Sequence, residues 1–384
     1  MNAPTANRPD RPPNRPFAAR PSSQIILGCL IIPLLVVGAI AGLFFSLRAQ
    51  ASATLTIPAK SVLLVYAGPD PSDPLLARFG PGQQLPMLGR SADWDWLQVE
   101  LWDGRPGWAG RPLDILVWQL EAPITEPASA SSPAPTVSLR EEEMVAIPGT
   151  TFTMGSPPGL GEADEMPAHV VSLSSFKIDR TEVALGHYWQ CVQAGACLAP
   201  TNPASQTRPH YLNDPIYDNY PVINVPWHEA NNYCAWRGKR LPTEAEWEMA
   251  AGWDAGKQAK LLWPWGNEAD SGRAGDPSNL GPTSAGDTVP VSSRPADRSA
   301  AGLLDLGGNV SEWVFDWYKV DYYSVADDSD PIGPSHRRGE GSGRAVRGGS
   351  FADPVSEARS GNRRHQAEDY GYLTVGFRCA QDAE

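Results

Sequence analysis

The stretch at 301–317, AGLLDLGGNVSEWVFDW, constrains the chain more than any other. Gly302, Gly307 and Gly308 permit a tight backbone path ahead of a short aromatic run, while Asp305, Asn309, Glu312 and Asp316 bring four oxygen-bearing side chains close in sequence. Two readings stay open. One is a glycine turn leading into a tryptophan-rich core strand with its acidic residues facing solvent. The other is a hard-cation site of carboxylate and backbone oxygens, since calcium takes about six to eight such ligands.

The surrounding composition favours loops over long helices: 36 glycines and 38 prolines are spread over 384 residues. Fourteen tryptophans fit a packed, loop-rich structure or an aromatic binding surface. Acidic residues outnumber basic ones by 44 to 31, a formal charge of -13. No basic aromatic module offsets that charge, which argues against nucleic acid as a partner.

Residues 1–24 are rich in proline and carry Arg8, Arg11, Arg15 and Arg20, so they are expected to form a disordered cytoplasmic tail. Residues 25–47, IILGCLIIPLLVVGAIAGLFFSL, hold no charge and are long enough for one transmembrane helix, with Pro33 tolerated as a bend. The expectation is a single-pass cell-membrane protein, anchored through this helix, with its C-terminal bulk extracytoplasmic. The small residues of RAQASA that follow leave a cleaved signal peptide as the alternative, which exports the rest equally.

Short apolar runs broken by turns fill 53–118, among them SVLLVYAGPD, FGPGQQLPMLGR, DWLQVEL and GRPGWAG. This region is similar to bacterial SH3-like domains, which implies a small all-β barrel and a cell-wall peptide as ligand. Trp94, Trp96, Trp102 and Trp108 either line that ligand surface or close the small core. Residues 119–142, with EAPITEPASASSPAPTVSL, read as an exposed, proline-stiffened linker that leaves the next module free to move.

The larger module spans 143–383. MVAIPGTTFTMGS predicts two short strands around Pro148 and Gly149, and VVSLSSFKIDRTEV an extended run entering a helix. In WHEANNYCAWRGKRLPTEAEWEMAAG, Trp227, Ala230 and Cys234 share one helical face that Gly238 ends. Thr243 and Glu246 form a T-x-x-E capping box for a second helix, whose Trp247 and Ala250 face the core. Glu244, Glu246 and Glu248 are accordingly read as capping or solvent-facing rather than as catalytic acids.

Cys191, Cys197, Cys234 and Cys379 make an even set in this module. The first two are close enough for a local clip; the other two could then tie a helix to the last strand. There is no CxxC, HExxH or nucleotide-binding glycine signature, and the six histidines form no compact metal motif. Ser350 lies in GGSF rather than in a nucleophile elbow.

In order along the chain, MVAIPGTTFTMGS, KIDRTEVALGHYWQCV, YPVINVPWHEANNYCAWRGKRLPTEAEWEMAA, WPWGNE, GLLDLGGNVSEWVFDWY, RAVRGGSF and VGFRCA resemble the formylglycine-generating, or sulfatase-modifying-factor, domain family. The resemblance implies an α+β, C-type-lectin-like fold with limited regular secondary structure, and a Cys234 to Cys379 disulfide. It also implies structural calcium, held by Asn279 and Leu280, with Asp287 completing the first site, and by Asp305, Gly308, Val310 and Glu312 at a second. Catalytic members carry two cysteines, three and eight residues past the GGSF serine, that hold copper and oxidise a substrate cysteine to formylglycine. This chain has Asp353 and Ala358 there, so no copper is expected.

The reading is therefore a membrane-anchored recognition or scaffold protein that meets a protein or glycan at the cell envelope. Arg347, Arg359, Arg363 and Arg364 would form its basic binding surface, unless they serve as internal salt bridges. The alternative is an oxidoreductase or other enzyme acting on envelope proteins through a non-standard site, with Asp353, Glu357, Arg359 and His365 as candidate catalytic residues.

Overall fold

The computed structural model describes residues 54–58, 61–93, 95–110, 138–269, 279–281, 285–335 and 343–383. Strands β1 (Thr54–Thr56), β2 (Leu63–Tyr66), β3 (Leu75–Phe79), β4 (Gln84–Arg90), β5 (Trp96–Glu100) and β6 (Pro106–Gly110) come first. Their alternating side chains bury Leu55, Leu63, Val65, Leu85, Met87, Leu97 and Val99 in a small core of their own. The strand order is β1-β4-β5-β6-β2-β3, an open sheet.

The closed SH3-like barrel is thus corrected. Among the described residues β1 and β3 do not pair, because the edge of β3 is taken by the larger domain: Arg78 donates its backbone N–H to Asn213 O at 2.9 Å. Of the tryptophans in this region, Trp108 is buried, Trp96 stands edge-on to Tyr66 and Trp102 stacks on His210. Trp94 lies outside the described residues.

The larger domain begins with β7 (Met144–Ile147), β8 (Thr150–Met154), β9 (His169–Leu173) and β10 (Phe176–Asp179). Helices α1 (Leu185–Gln193), α2 (Trp227–Trp236) and α3 (Glu244–Gly252) follow, then β11 (Trp253–Asp254), β12 (Ala259–Lys260), β13 (Ser311–Trp317), β14 (Arg344–Arg347), β15 (Arg363–Gln366), β16 (Val375–Phe377) and β17 (Ala380–Asp382). One sheet runs β15-β14-β13-β16, with β13 and β16 parallel; another runs β17-β10-β7. This is a mixed α+β fold with little helix. One core gathers α1, α2 and β16 around Trp189, Tyr233 and Trp313; the other gathers β8, β9 and α3 around Phe152, Val171 and Trp247.

Local signals explain the helices. Ala230 and Cys234 are buried on α2, and Gly238 leaves it at φ 70°. On α3 the Thr243 hydroxyl accepts from Glu246 N while the Glu246 carboxylate accepts from Thr243 N, the reciprocal cap the sequence predicts. Two disulfides close the scaffold: Cys191 with Cys197 just past α1, and Cys234 with Cys379 between α2 and the end of the chain.

Among the described residues no helix is long and apolar enough to cross a membrane. The membrane-anchored, single-pass placement is corrected on that finding, and the stretch at 25–47 that suggested it lies outside the described residues.

Independent movement of the two β-rich parts is corrected as well, since 52–384 is one compact unit. Arg78 reaches Asp218 through two bonds of 2.5 and 2.8 Å, with both side chains largely buried, and its guanidinium lies 5.8 Å from the Trp189 ring. Trp102 stacks on His210 at 4.4 Å and 12°. Removing one partner of a buried ion pair costs about 3–5 kcal/mol, because the other charge is left without compensation. Arg78→Ala is therefore expected to release the N-terminal sheet, seen by calorimetry as a separate, earlier transition; a single unshifted transition would show that the pair does not hold the two parts together.

Candidate functional site

The segment that carries the resemblance's catalytic positions starts where β14 ends. Gly348 turns the chain at φ 72°, and a Cβ there would meet Leu306 O at 2.6 Å, so the turn requires glycine. Ser350 follows, fully buried, and a short 3-10 turn at Val355–Ala358 leads to β15. Asp353 Oδ2 accepts from Ser350 N at 3.0 Å and from Ser350 Oγ at 2.6 Å, and Arg364 approaches it at 3.0 Å. Ala358 is fully buried, its Cα against Gly349. One position is a carboxylate tied down by a hydroxyl and a guanidinium, and the other is a packed methyl. Neither is a soft donor for copper.

Of the other suspected groups only Glu357 meets this turn, through Arg364, which it shares with Asp353. Glu357 sits 3.9 Å from Arg364. Arg364 also bonds Gly348 O at 3.0 Å and the Ser311 hydroxyl. His365 lies on the opposite face of β15, its ring 4.5 Å from Tyr318, and burial lowers its pKa. Arg359 turns away to grip Glu165 through bonds of 2.7 and 2.8 Å.

The expected basic surface is corrected in the same way. Arg347, fully buried, bonds Glu244 at 3.0 Å, Glu248 at 2.6 Å and Ser360 O at 2.7 Å. Arg363 is buried too, and takes both oxygens of Glu244 at 2.8 and 2.9 Å. Lys260 completes the cluster on Glu248. Glu244 and Glu248 are thus core ion-pair partners rather than solvent-facing residues. Of the four arginines only Arg364 and Arg359 keep partial exposure.

Among the described residues no three of His, Cys, Asp and Glu are grouped to hold a metal ion, whereas the expected calcium sets also draw on Asn279 and on the backbone carbonyls of Leu280, Gly308 and Val310. Several side-chain oxygens of these sets accept from protein donors. Glu312 takes Arg378 at 2.7 Å on each oxygen and Trp247 Nε1 at 2.7 Å. Asp305 accepts from Ser292 N at 2.7 Å, and burial pushes its carboxyl up to about 6. Gly308 and Val310 lie buried between these two, Val310 N donating to Glu182 at 2.9 Å. Asp316, raised by burial and by Glu244, accepts from Glu244 N at the start of α3.

At the first set, Leu280 is buried, Asn279 Oδ1 accepts from Ala285 N, and Asp287 takes Ser205, Thr207 and Thr288 N.

The sequence reading missed Glu182, Glu165, Lys260 and Arg378. Arg378 had a usable signal: an arginine inside the apolar run VGFRCA has to meet a buried acid.

The network has a measurable pH signature. Burial alone would raise the Glu248 carboxyl, but Lys260 and Arg347 overcome it and hold it at about 2, against 4.5 ordinarily. A carboxyl depressed in the folded state stabilises the fold above its unfolded value, and that contribution is lost as pH falls through the folded one. Its size is on the order of 3 kcal/mol. Glu248→Gln is expected to flatten the acid limb of stability measured by denaturant titration from about pH 5 to pH 2; a limb as steep as the parent's would remove Glu248 as its source.

Comparison with known proteins fits this framework. The sulfatase-modifying factor enzyme 1-like domain matches residues 129–383. The chain is 34% identical over 309 residues to the formylglycine-generating enzyme of Streptomyces coelicolor, covering 67% of this chain and 95% of that protein. It is 35% identical over 254 residues to the serine/threonine-protein kinase Pkn1 of Chlamydia trachomatis, but the match spans only 38% of that protein's length and 63% of this chain. Among solved structures it is similar to variable protein 1 of Treponema denticola, with 25% identity and a TM-score of 0.50, over 65% of this chain and 98% of that one. With its domain match and its motifs in agreement, the chain belongs to the sulfatase-modifying factor enzyme 1-like family.

Proposed function

We propose that this chain is a non-oxidising member of its family, one that works by binding a protein rather than by converting a cysteine. The observation that carries the reading is the pair of positions 353 and 358, where Asp353 is held by Ser350 and Arg364 and Ala358 is packed against Gly349. The cysteines add support. Cys191, Cys197, Cys234 and Cys379 are all consumed in disulfides, so none of them supplies a thiolate. The buried ion pairs around α3 hold the scaffold rigid without that chemistry, which suits a surface that must keep its shape to bind.

The test is an oxidation assay on the full chain supplied with Cu(I) and a cysteine-containing peptide, followed by oxygen uptake and by aldehyde labelling of the peptide. No uptake or label above the protein-free control is expected. Peptide-dependent oxygen consumption with aldehyde formation would overturn the reading.

A further inference from the structure

A groove of about 530 Å³, none of whose lining residues belongs to the GGSF turn, opens between the end of β9, the start of α3, β13 and the end of β17. Leu173 and Leu241 are buried at its base, whereas Phe315 and Ile332 stand on its walls 37% and 62% exposed. Exposed apolar side chains that line one concavity, rather than being scattered singly, mark a contact surface.

Its rim is acidic. Asp330 and Asp382 line it, and the exposed Asp327 and Asp328 lie just before Asp330 in sequence. Among the described residues that line it, the one cation, Arg240, pairs with Glu246 and Asp382, and Asp330 accepts from Ser174 N and Oγ, so three lining carboxylates are set against a single guanidinium. The geometry also offers backbone. Strand β17 is an edge of its sheet, met on its outer side, among the described residues, by the isolated bridge between Ala380 and Arg240.

We infer that this groove docks an extended peptide segment in which an apolar residue is flanked by lysine or arginine. The apolar side chain sits between Phe315 and Ile332, and the cations face Asp330 and the Oδ2 of Asp382, since Arg240 takes only its Oδ1. An edge strand beside the groove suits an extended occupant, and the acidic rim selects its charge. The inference rests on the binding role proposed above and names its partner chemistry. It also replaces the basic binding surface expected from the sequence with an acidic one, because Arg347 and Arg363 are inside the protein.

The test uses the full chain and fluorescein-labelled octapeptides with one leucine between lysine pairs in a glycine and serine background. Controls replace every lysine with glutamate, or the leucine with serine. Fluorescence anisotropy is expected to show saturable binding of the lysine peptide that weakens as salt rises. Ile332→Ser and Asp382→Asn, both at exposed side chains, should each weaken it roughly tenfold while the melting temperature holds.

Equal binding of the glutamate peptide would overturn the charge assignment. Binding that ignores both substitutions would move the site elsewhere, and no binding of the lysine peptide would remove the groove as a docking site. None of these three outcomes bears on the copper assay, whose failure would instead remove the binding role on which the groove depends.

Discussion

The burial of charge around α3 is the constraint on which the rest of this structure depends. Glu244 and Glu248 project from a helix in which every residue is buried, and each would be prohibitively costly there alone. Arg347 from β14, Arg363 from β15 and Lys260 from β12 answer them, so the pairs fix how the helix meets two sheets. Apolar packing supplies the area, but the ion pairs select one arrangement, because a slip of either strand would strand a charge in the core. The GGSF turn follows directly from β14 and inherits its position from that lock.

The carboxyls of 305–316 are buried with a different balance. Glu312 is neutralised by Arg378, while Asp305 and Asp316 are driven towards their neutral forms by burial, with Glu312 and Glu244 respectively adding to the effect. Where the α3 acids are stabilised as anions, these two favour folding at lower pH and lose that contribution as pH rises through their folded values. Two sets of buried acids therefore act on stability in opposite directions, and the glycine-rich stretch is as much a hydrogen-bond hub as a turn.

Much of the scaffold was legible because it is written locally. The T-x-x-E box gave the cap of α3, Gly238 the end of α2, and the ordered motifs the family. What was not legible is what depends on distant partners. Nothing near Glu248 indicates that Arg347 and Lys260 will meet it, and nothing near Arg347 distinguishes a surface cation from a buried one. The open N-terminal sheet failed for a related reason: its strand pattern was right, but closure depended on Asn213, more than a hundred residues away, taking the edge of β3. The candidate site suffered most, since the groove is assembled from Leu173, Leu241, Phe315, Ile332 and Asp382, which share no motif.

The docking of the N-terminal sheet separates two boundaries that are often treated as one. The family match begins at 129, but the contacts of Arg78 and Trp102 carry the packing back across that point. Asp218, Trp189 and His210 belong to the inherited domain, yet their surroundings are finished by residues outside it. A stretch of chain that precedes the family match packs against residues inside it, so the match and the packing divide the same molecule at different places.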